Sequence, residues 1–279
     1  MKKIIINIFL TIIIFSLVCA ISILYVQPYL FFHPWHDENS YNQLLEEESF
    51  EEIRISNDGE LIHGWIKYNT EQPKTPLLIF FGGNAQNSSN TCLSFFNNDK
   101  YKYFEGYNLM IIDYPGYGLS EGSPSDKTMF KTGLKVYDYA SSLDCVDKNN
   151  IVILGYSIGT GVATYVSSQR TVNGLILLAP YDEALSLYND NVNIFHGPVK
   201  LLARYKFKSI EYAQDVTVSP LIITSHDDEV ISYKHSVNLA EYFKNVDKLH
   251  ILSNKVKHND YFSQQEVLIN IYDYLQNRL

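Results

Sequence analysis

The stretch "ILGYSIGTG", Ile153 to Gly161, sets a lone serine between two glycines, directly after a run of apolar, mostly branched residues. Ser157 is either a nucleophile on a tight strand-to-helix turn or an ordinary polar residue in a glycine-rich loop. Gly-x-Ser-x-Gly arises easily by chance, so the choice rests on what lies on either side. If a buried strand ends at Tyr156 and a helix starts at Ile158, the glycines have a steric purpose. Gly155 and Gly159 permit close strand–helix approach, and a side chain at either would collide. The start of the helix would also direct unpaired N–H groups and a positive dipole end toward the serine.

The surrounding chain has that periodicity. "EEIRIS" (Glu51 to Ser56) and "LIHGWIKY" (Leu61 to Tyr68), joined across Asn57-Asp58-Gly59, read as an antiparallel hairpin. Near-continuous apolar runs follow at 77–81, 109–112, 151–154, 175–178, 221–223 and 249–252, as expected of strands buried on both faces of a parallel sheet. Helical candidates lie between and after them, at 127–142, 159–169, 232–243 and 262–279. Strand alternating with helix gives an α/β fold, a mostly parallel central sheet with helices on both faces. Ser157 then falls at the carboxyl end of a middle strand, where open α/β sheets bind ligands.

Composition narrows the function. The 279 residues are 46% hydrophobic, enough for a sizeable core. The net charge of −9 offers no basic footprint for nucleic acid. Cys19, Cys92 and Cys145 have no paired spacing, which argues against a disulfide framework or a zinc site; buried thiols are expected at 92 and 145. At the N-terminus, "IIINIFLTIIIFSLVCAISILYV" (Ile4 to Val26) carries no charge and is long enough to cross a bilayer as a helix. It is longer than a secretory signal's apolar region and lacks an evident cleavage site. Lys2 and Lys3 precede it and acidic residues follow, so a single-pass anchor is expected, with the N-terminus cytoplasmic and the remainder outside. Tyr29, Phe31, Phe32 and Trp35 stand where an interfacial aromatic belt belongs, a better reading of that segment than a metal pair at His33 and His36.

A serine hydroxyl needs a base. Of the histidines after Ser157, His250 lies in a strand-like run and His235 in a helical one, while His196 and His226 are misplaced relative to the candidate acid. His258, in "NKVKHNDYF" (Asn254 to Phe262), occupies the loop after the last strand, from which it can reach back over the sheet. The acid belongs in "LIITSHDDEVIS" (Leu221 to Ser232), where spacing leaves Asp227 and Asp228 undecided. An oxyanion site needs two preorganised N–H donors, one from Ile158 and one from the glycine-bearing loop "GGNAQN" (Gly82 to Asn87).

With these pieces in place the chain resembles a membrane-anchored α/β-hydrolase of the Bem46-like group of abhydrolase-domain proteins. Five segments carry the resemblance in order: "FFGGNAQN", "DYPGYGLSEGSPS" (Asp113 to Ser125), "GYSIGTG", "KSIEYAQDVTVSPLIITSHDDEVI" and "KHND". The resemblance aligns the acid with Asp228. It implies a Ser157–Asp228–His258 triad, oxyanion N–H groups from Asn84 and Ile158, and no metal or organic cofactor. It also implies an anchor over 1–30, a juxtamembrane segment over 31–50 and a hydrolase domain over 51–279, with a short cap at about 181–217. Gly82 departs from the usual histidine, Thr224-Ser225 from His-Gly, Ser232 from a common proline, and Val256-Lys257 from small residues. The implied activity is cleavage of acyl esters or thioesters in lipid-like substrates or acylated proteins at the membrane. The cap sequence "LSLYNDNVNIFHGPVKLLARYKF", with Leu201 and Leu202, either lines an acyl groove or packs onto the sheet. A serine aminopeptidase and a catalytically silent membrane-tethered binding protein are the competing readings.

Overall fold

Asp58 and Gly59 both adopt positive φ, 53° and 91°, the backbone that a two-residue hairpin turn requires. In this computed structural model, which describes residues 2–68, 74–253 and 255–279, that turn joins β1 (Phe50–Asn57) to β2 (Glu60–Lys67). Met1, residues 69–73 and Asn254, the first residue of the histidine-bearing stretch, lie outside the described residues. Two helices precede the hairpin, α1 (Lys2–Phe31) and α2 (Glu38–Leu45). After it come β3 (Thr75–Phe81), α3 (Ser88–Asn97), β4 (Asn108–Ile112), α4 (Asp126–Ser142), β5 (Val146–Tyr156) and α5 (Ile158–Gln169). The chain continues through β6 (Gly174–Leu178), α6 (Ala184–Asn191), α7 (Ser209–Ala213), β7 (Leu221–Ser225), α8 (Tyr233–Ala240), β8 (Lys248–Leu252) and α9 (Gln265–Gln276).

The strands form an eight-stranded sheet in the order β1-β2-β4-β3-β5-β6-β7-β8. β1–β2 and β2–β4 pair antiparallel and the remaining neighbours parallel. The runs in the inner strands are buried as the parallel reading requires, Leu77 through Phe81 and Leu175 through Leu178 each being 1% exposed or less, whereas the run 249–252 lies on the edge strand β8 and only Leu252 is buried there, with Ile251 exposed. Alternate side chains feed two cores. Ile79, Ile153 and Leu177 pack in one with Met129, Val136, Val162 and Val166 of α4 and α5. Leu78, Leu154 and Ile176 pack in the other with Phe95 of α3 and Val267, Ile271 and Leu275 of α9. At ~25 cal/mol per Å² of apolar surface, burial on both faces makes this sheet the main source of stability. Cys19, Cys92 and Cys145 are free; Cys92 is buried, Cys145 half-buried and Cys19 exposed.

α3 and α6 were not foreseen from the sequence: both are short and carry polar residues among their apolar ones. A side-chain cap starts α3, where Asn87 Oδ1 accepts the Asn90 N–H at 2.8 Å. The aromatic belt expected after the anchor also differs. Tyr29 and Trp35 are exposed, but Phe32 is buried and Phe31 packs inward against Tyr188, Tyr205 and Phe207. Their rings remove more apolar surface from water on the cap than an interface position would. α1 is thus a 30-residue apolar helix whose first six turns are exposed and whose last turns join the domain.

The cap, α6 to α7, is fastened by an ion cluster. His235 of α8 lies between Asp182, 2.9 Å from its Nδ1, and Asp190 of α6, 2.6 Å from its Nε2. Burial by itself would lower the imidazole's pKa; hydrogen bonds to both carboxylates and their charges push it from 6.5 up to about 9. A raised folded-state value means that this stabilisation is complete below the unfolded value and is lost as pH rises through the folded one. His235→Gln should therefore destabilise the protein at pH 6, and the difference from wild type should shrink between pH 6.5 and 9.5. Thermal melts of both proteins across that range provide the check; a pH-independent difference would contradict a charged clamp.

Candidate functional site

Ser157 follows β5 directly and has φ 54° and ψ −121°, in the left-handed region that side chains other than glycine rarely occupy. Such a conformation costs on the order of 1–3 kcal/mol and persists only where neighbours over-determine it. Here they do. The Ser157 N–H donates to Leu178 O at 2.9 Å, and its carbonyl accepts both Thr160 N–H, at 3.0 Å, and Thr160 Oγ1, at 2.6 Å. A Cβ on Gly159 would lie 2.1 Å from Phe81 O and 2.6 Å from Gly82 O, and one on Gly155 only 2.7 Å from Gly159 O. The elbow is a backbone-to-backbone contact with no room for a methyl group.

His258 opens a 3₁₀ turn after β8, and its Nε2 stands 2.9 Å from Ser157 Oγ. Its Nδ1 is 2.9 and 3.0 Å from the two oxygens of Asp228, which follows β7. Asp227, the other carboxylate that spacing allowed, is exposed beside His226 instead. Burial alone would raise the Asp228 pKa. The His258 hydrogen bond and charge outweigh it, together with the Ile231 and Val230 N–H groups, each 2.9 Å from Oδ1, and hold the carboxyl below the usual range. Tyr261 Oη adds a fourth donor at 3.1 Å. An anionic Asp228 facing Nδ1 leaves Nε2 free to accept the Ser157 proton. Ser157, Asp228 and His258 are 6–8% exposed, so this proton path is largely shielded from water.

Two of the departures in these loops, Ser225 and Val256, meet. Ser225 Oγ donates to Val256 O at 2.6 Å, tying the end of β7 to the histidine loop, and the Val256 side chain is buried. The His258 N–H donates to Glu229 Oε2 at 3.1 Å, and Tyr156 Oη donates to His258 O. Sequence reasoning missed these staples because each joins segments distant in the chain.

The loop after β3 presents its amides toward the same space. Gly83 N–H is engaged by Gln86 Oε1, at 2.7 Å, and Ala85 N–H by Asn84 Oδ1, at 3.1 Å, leaving Asn84 N–H between them. Asn84 is clamped through its side chain: Oδ1 accepts Tyr117 Oη–H at 2.7 Å and His33 N–H at 2.9 Å, while Nδ2 donates to Phe31 O at 2.9 Å. Tyr117 thus supports the loop from the "DYPGYG" turn. That turn closes around Asp113, whose buried carboxylate accepts Ser88 N–H at 2.6 Å and lies 2.6 Å from His63 Nδ1. Asn84, Ile158, Ser157 and His258 all border one cavity of about 710 Å³, within the range of small-molecule sites.

Comparison with known proteins fits this geometry. The sequence profile of the alpha/beta hydrolase fold family matches residues 76–219, more than half of the chain. Among relatives, the alpha/beta hydrolase domain-containing protein aho-3 of Caenorhabditis elegans is 31% identical over 134 residues, 48% of this chain and 39% of that protein. Human alpha/beta hydrolase domain-containing protein 17C is 29% identical over 164 residues, 59% of this chain and 47% of its own length. The chain thus spans about half or less of these relatives. Of the solved structures, a Pyrococcus furiosus esterase superposes with TM-score 0.67 at 14% identity, covering 88% of this chain and 97% of that one.

Gly159→Ala tests the elbow. Forcing a methyl group against the Phe81 carbonyl should cost about 1–3 kcal/mol or more, as overpacking does, and lower Tm by several degrees. An unchanged melt would mean that the loop after β3 can retreat without cost.

Proposed function

Because this chain belongs to the alpha/beta hydrolase fold family, we propose that it is a membrane-anchored serine hydrolase acting on acyl ester or thioester bonds. The observation that carries the proposal is the unbroken relay from Asp228 through His258 to Ser157, 2.9 Å at each step, ending on a serine held at positive φ. Ser157 Oγ attacks the acyl carbon as His258 Nε2 takes its proton, and Asp228 holds the imidazole and stabilises the imidazolium. The Ile158 and Asn84 N–H groups receive the developing oxyanion, a type of contact worth about 10²–10³ in rate per donor. His258 then protonates the leaving group, and the acyl-enzyme is released by water that His258 activates in turn. The residues present complete this sequence without a cofactor.

The exposed apolar face of α1 supports anchoring: so much apolar surface facing water is unfavourable, and the helix length of roughly 45 Å exceeds a bilayer core. Lys2 and Lys3 before it favour a cytoplasmic N-terminus with the hydrolase domain on the opposite side. A bilayer location and the apolar lining of the cavity by Leu30, Phe31, Leu187 and Val192 favour lipid-like or acylated substrates.

Wild-type protein should hydrolyse a short-chain p-nitrophenyl ester and take a fluorophosphonate label at Ser157. Ser157→Ala should lose both, and Asp228→Asn should lower kcat by on the order of 10³–10⁴ while the fold persists. Equal turnover and labelling in Ser157→Ala would overturn the assignment. For topology, a C-terminal alkaline phosphatase fusion in a bacterial host should be active and a C-terminal green fluorescent protein fusion dark; the reverse pattern would place the domain in the cytoplasm.

A further inference from the structure

The anchor helix does not end at the membrane; it enters the candidate site. Leu30, the penultimate residue of α1, lines the 710 Å³ cavity at Ser157 together with Phe31. Leu30, Tyr188 and Val192 also line a second cavity of about 250 Å³, bounded by Ser22, Ile23, Val26 and Gln27 of α1 and by Ile194 and Phe195 of the cap. The two cavities share a wall and differ in chemistry. The first holds the polar reacting groups. In the second, the Gln27 amide is consumed, since Nε2 donates to Ile23 O and Leu202 O and Oε1 accepts Arg204 N–H at 2.7 Å. Apart from the Ser22 and Tyr188 hydroxyls, what faces the space is hydrocarbon and aromatic ring.

This position along α1 fixes what can reach the groove. Ser22, Ile23 and Val26 fall inside the uncharged span 4–26, whereas Leu30 lies beyond it. At 1.5 Å per residue the wall from Ser22 to Leu30 runs ~12 Å, from inside the uncharged span to the edge of the cavity that Ser157 lines. A groove that starts within an apolar span and offers only the Ser22 and Tyr188 hydroxyls among hydrocarbon walls suits an unbranched methylene chain.

We propose that the two cavities form one acyl site. The scissile carbonyl sits at Ser157, and the chain lies in the groove between α1 and the 192–195 segment, so that a bilayer-borne acyl chain reaches the serine along the anchor without crossing water. The anchor is then part of the binding site as well as a tether. The inference rests on the hydrolase reading above and deepens it: what is recognised is the chain, whether its head is glycerol or a protein thiol. Leu201, expected either to line an acyl groove or to pack onto the sheet, does neither, being 80% exposed on a 3₁₀ turn.

The test uses the full chain in phospholipid nanodiscs and a p-nitrophenyl ester series from acetyl to dodecanoyl. In wild type, kcat/KM should rise by up to about fourfold for each methylene that the groove buries. Val26→Trp and Ile194→Trp, which fill the groove from opposite walls, should lower the dodecanoyl-to-acetyl ratio by about tenfold or more, and Leu201→Trp should keep the wild-type ratio. A monoacylglycerol and an S-acylated peptide should suffer the same penalty, and the faster of the two in wild type identifies the head. A readout independent of turnover is photo-crosslinking of Ser157→Ala by a long-chain fatty acid with a terminal diazirine. It should label the peptide containing Val192 to Phe195, and Ile194→Trp should abolish the label. Labelling without ester hydrolysis in wild type would leave the groove standing and remove the hydrolase assignment. Hydrolysis with a chain-length ratio unaltered by both tryptophans would overturn the groove and leave the hydrolase.

Discussion

The carboxyl edge of this sheet is organised by one contact, the first turn of α5 lying backbone to backbone against the end of β3. Phe81 and Gly82 carbonyls come within 2.1 and 2.6 Å of where a Gly159 Cβ would be. That approach leaves Ser157 no alternative to positive φ, and positive φ lifts its side chain above the sheet. The same proximity carries the loop after β3 alongside the helix start, so nucleophile and candidate oxyanion donors are set by a single steric constraint. Non-glycine residues at positive φ recur along this edge: Ala85 after β3 and Ala179 after β6 accompany Ser157. Strain is concentrated where strands deliver their ends to a common space, and the sheet's two buried faces supply the stability that tolerates it.

Electrostatics follows from where the loops land. Asp228 is buried, a condition that by itself favours a neutral carboxyl, yet it receives two backbone N–H groups, a tyrosine hydroxyl and the imidazole. Charge-assisted hydrogen bonds of this kind outweigh desolvation when every lone pair is used. A second His–carboxylate cluster, His235 with Asp182 and Asp190, shows the other use of the same chemistry. There a histidine between two acids gains charge and fastens the cap; at the site the imidazole stands between an acid and a hydroxyl.

The architecture was legible because its signals are local or periodic. Apolar runs of three to five residues marked each parallel strand, Asp58-Gly59 marked the hairpin, and Gly-x-Ser-x-Gly marked the elbow. Ser157 and His258 followed from element order, and Ile158 from its place after the serine. Asp228 could not be separated from Asp227 by spacing, since both follow β7; the difference is direction, set when the turn presents Val230 and Ile231 N–H to one carboxylate. What stayed hidden was contact between remote segments. Ser225 with Val256, Asp113 with His63, and Asn84 with Phe31 and His33 join positions 31 to 53 residues apart. Phe31 and Phe32 misled for the same reason: an aromatic pair after an apolar span carries no sign of whether lipid or protein will cover it.

Asn84 shows how far that hidden contact extends. Its side chain is held by the residue that ends α1, by the residue two positions later, and by Tyr117, while the residue itself lines the cavity. An N–H stabilises an oxyanion only if held in place before charge develops, because reorienting it during reaction would consume the energy it contributes. Two of the three groups that fix Asn84 belong to the chain emerging from α1. Gln27, one turn earlier, pins the same helix to the cap through Leu202 and Arg204. The helix that provides the apolar surface and the loop that carries the candidate donor Asn84 are therefore tied together through the Asn84 side chain.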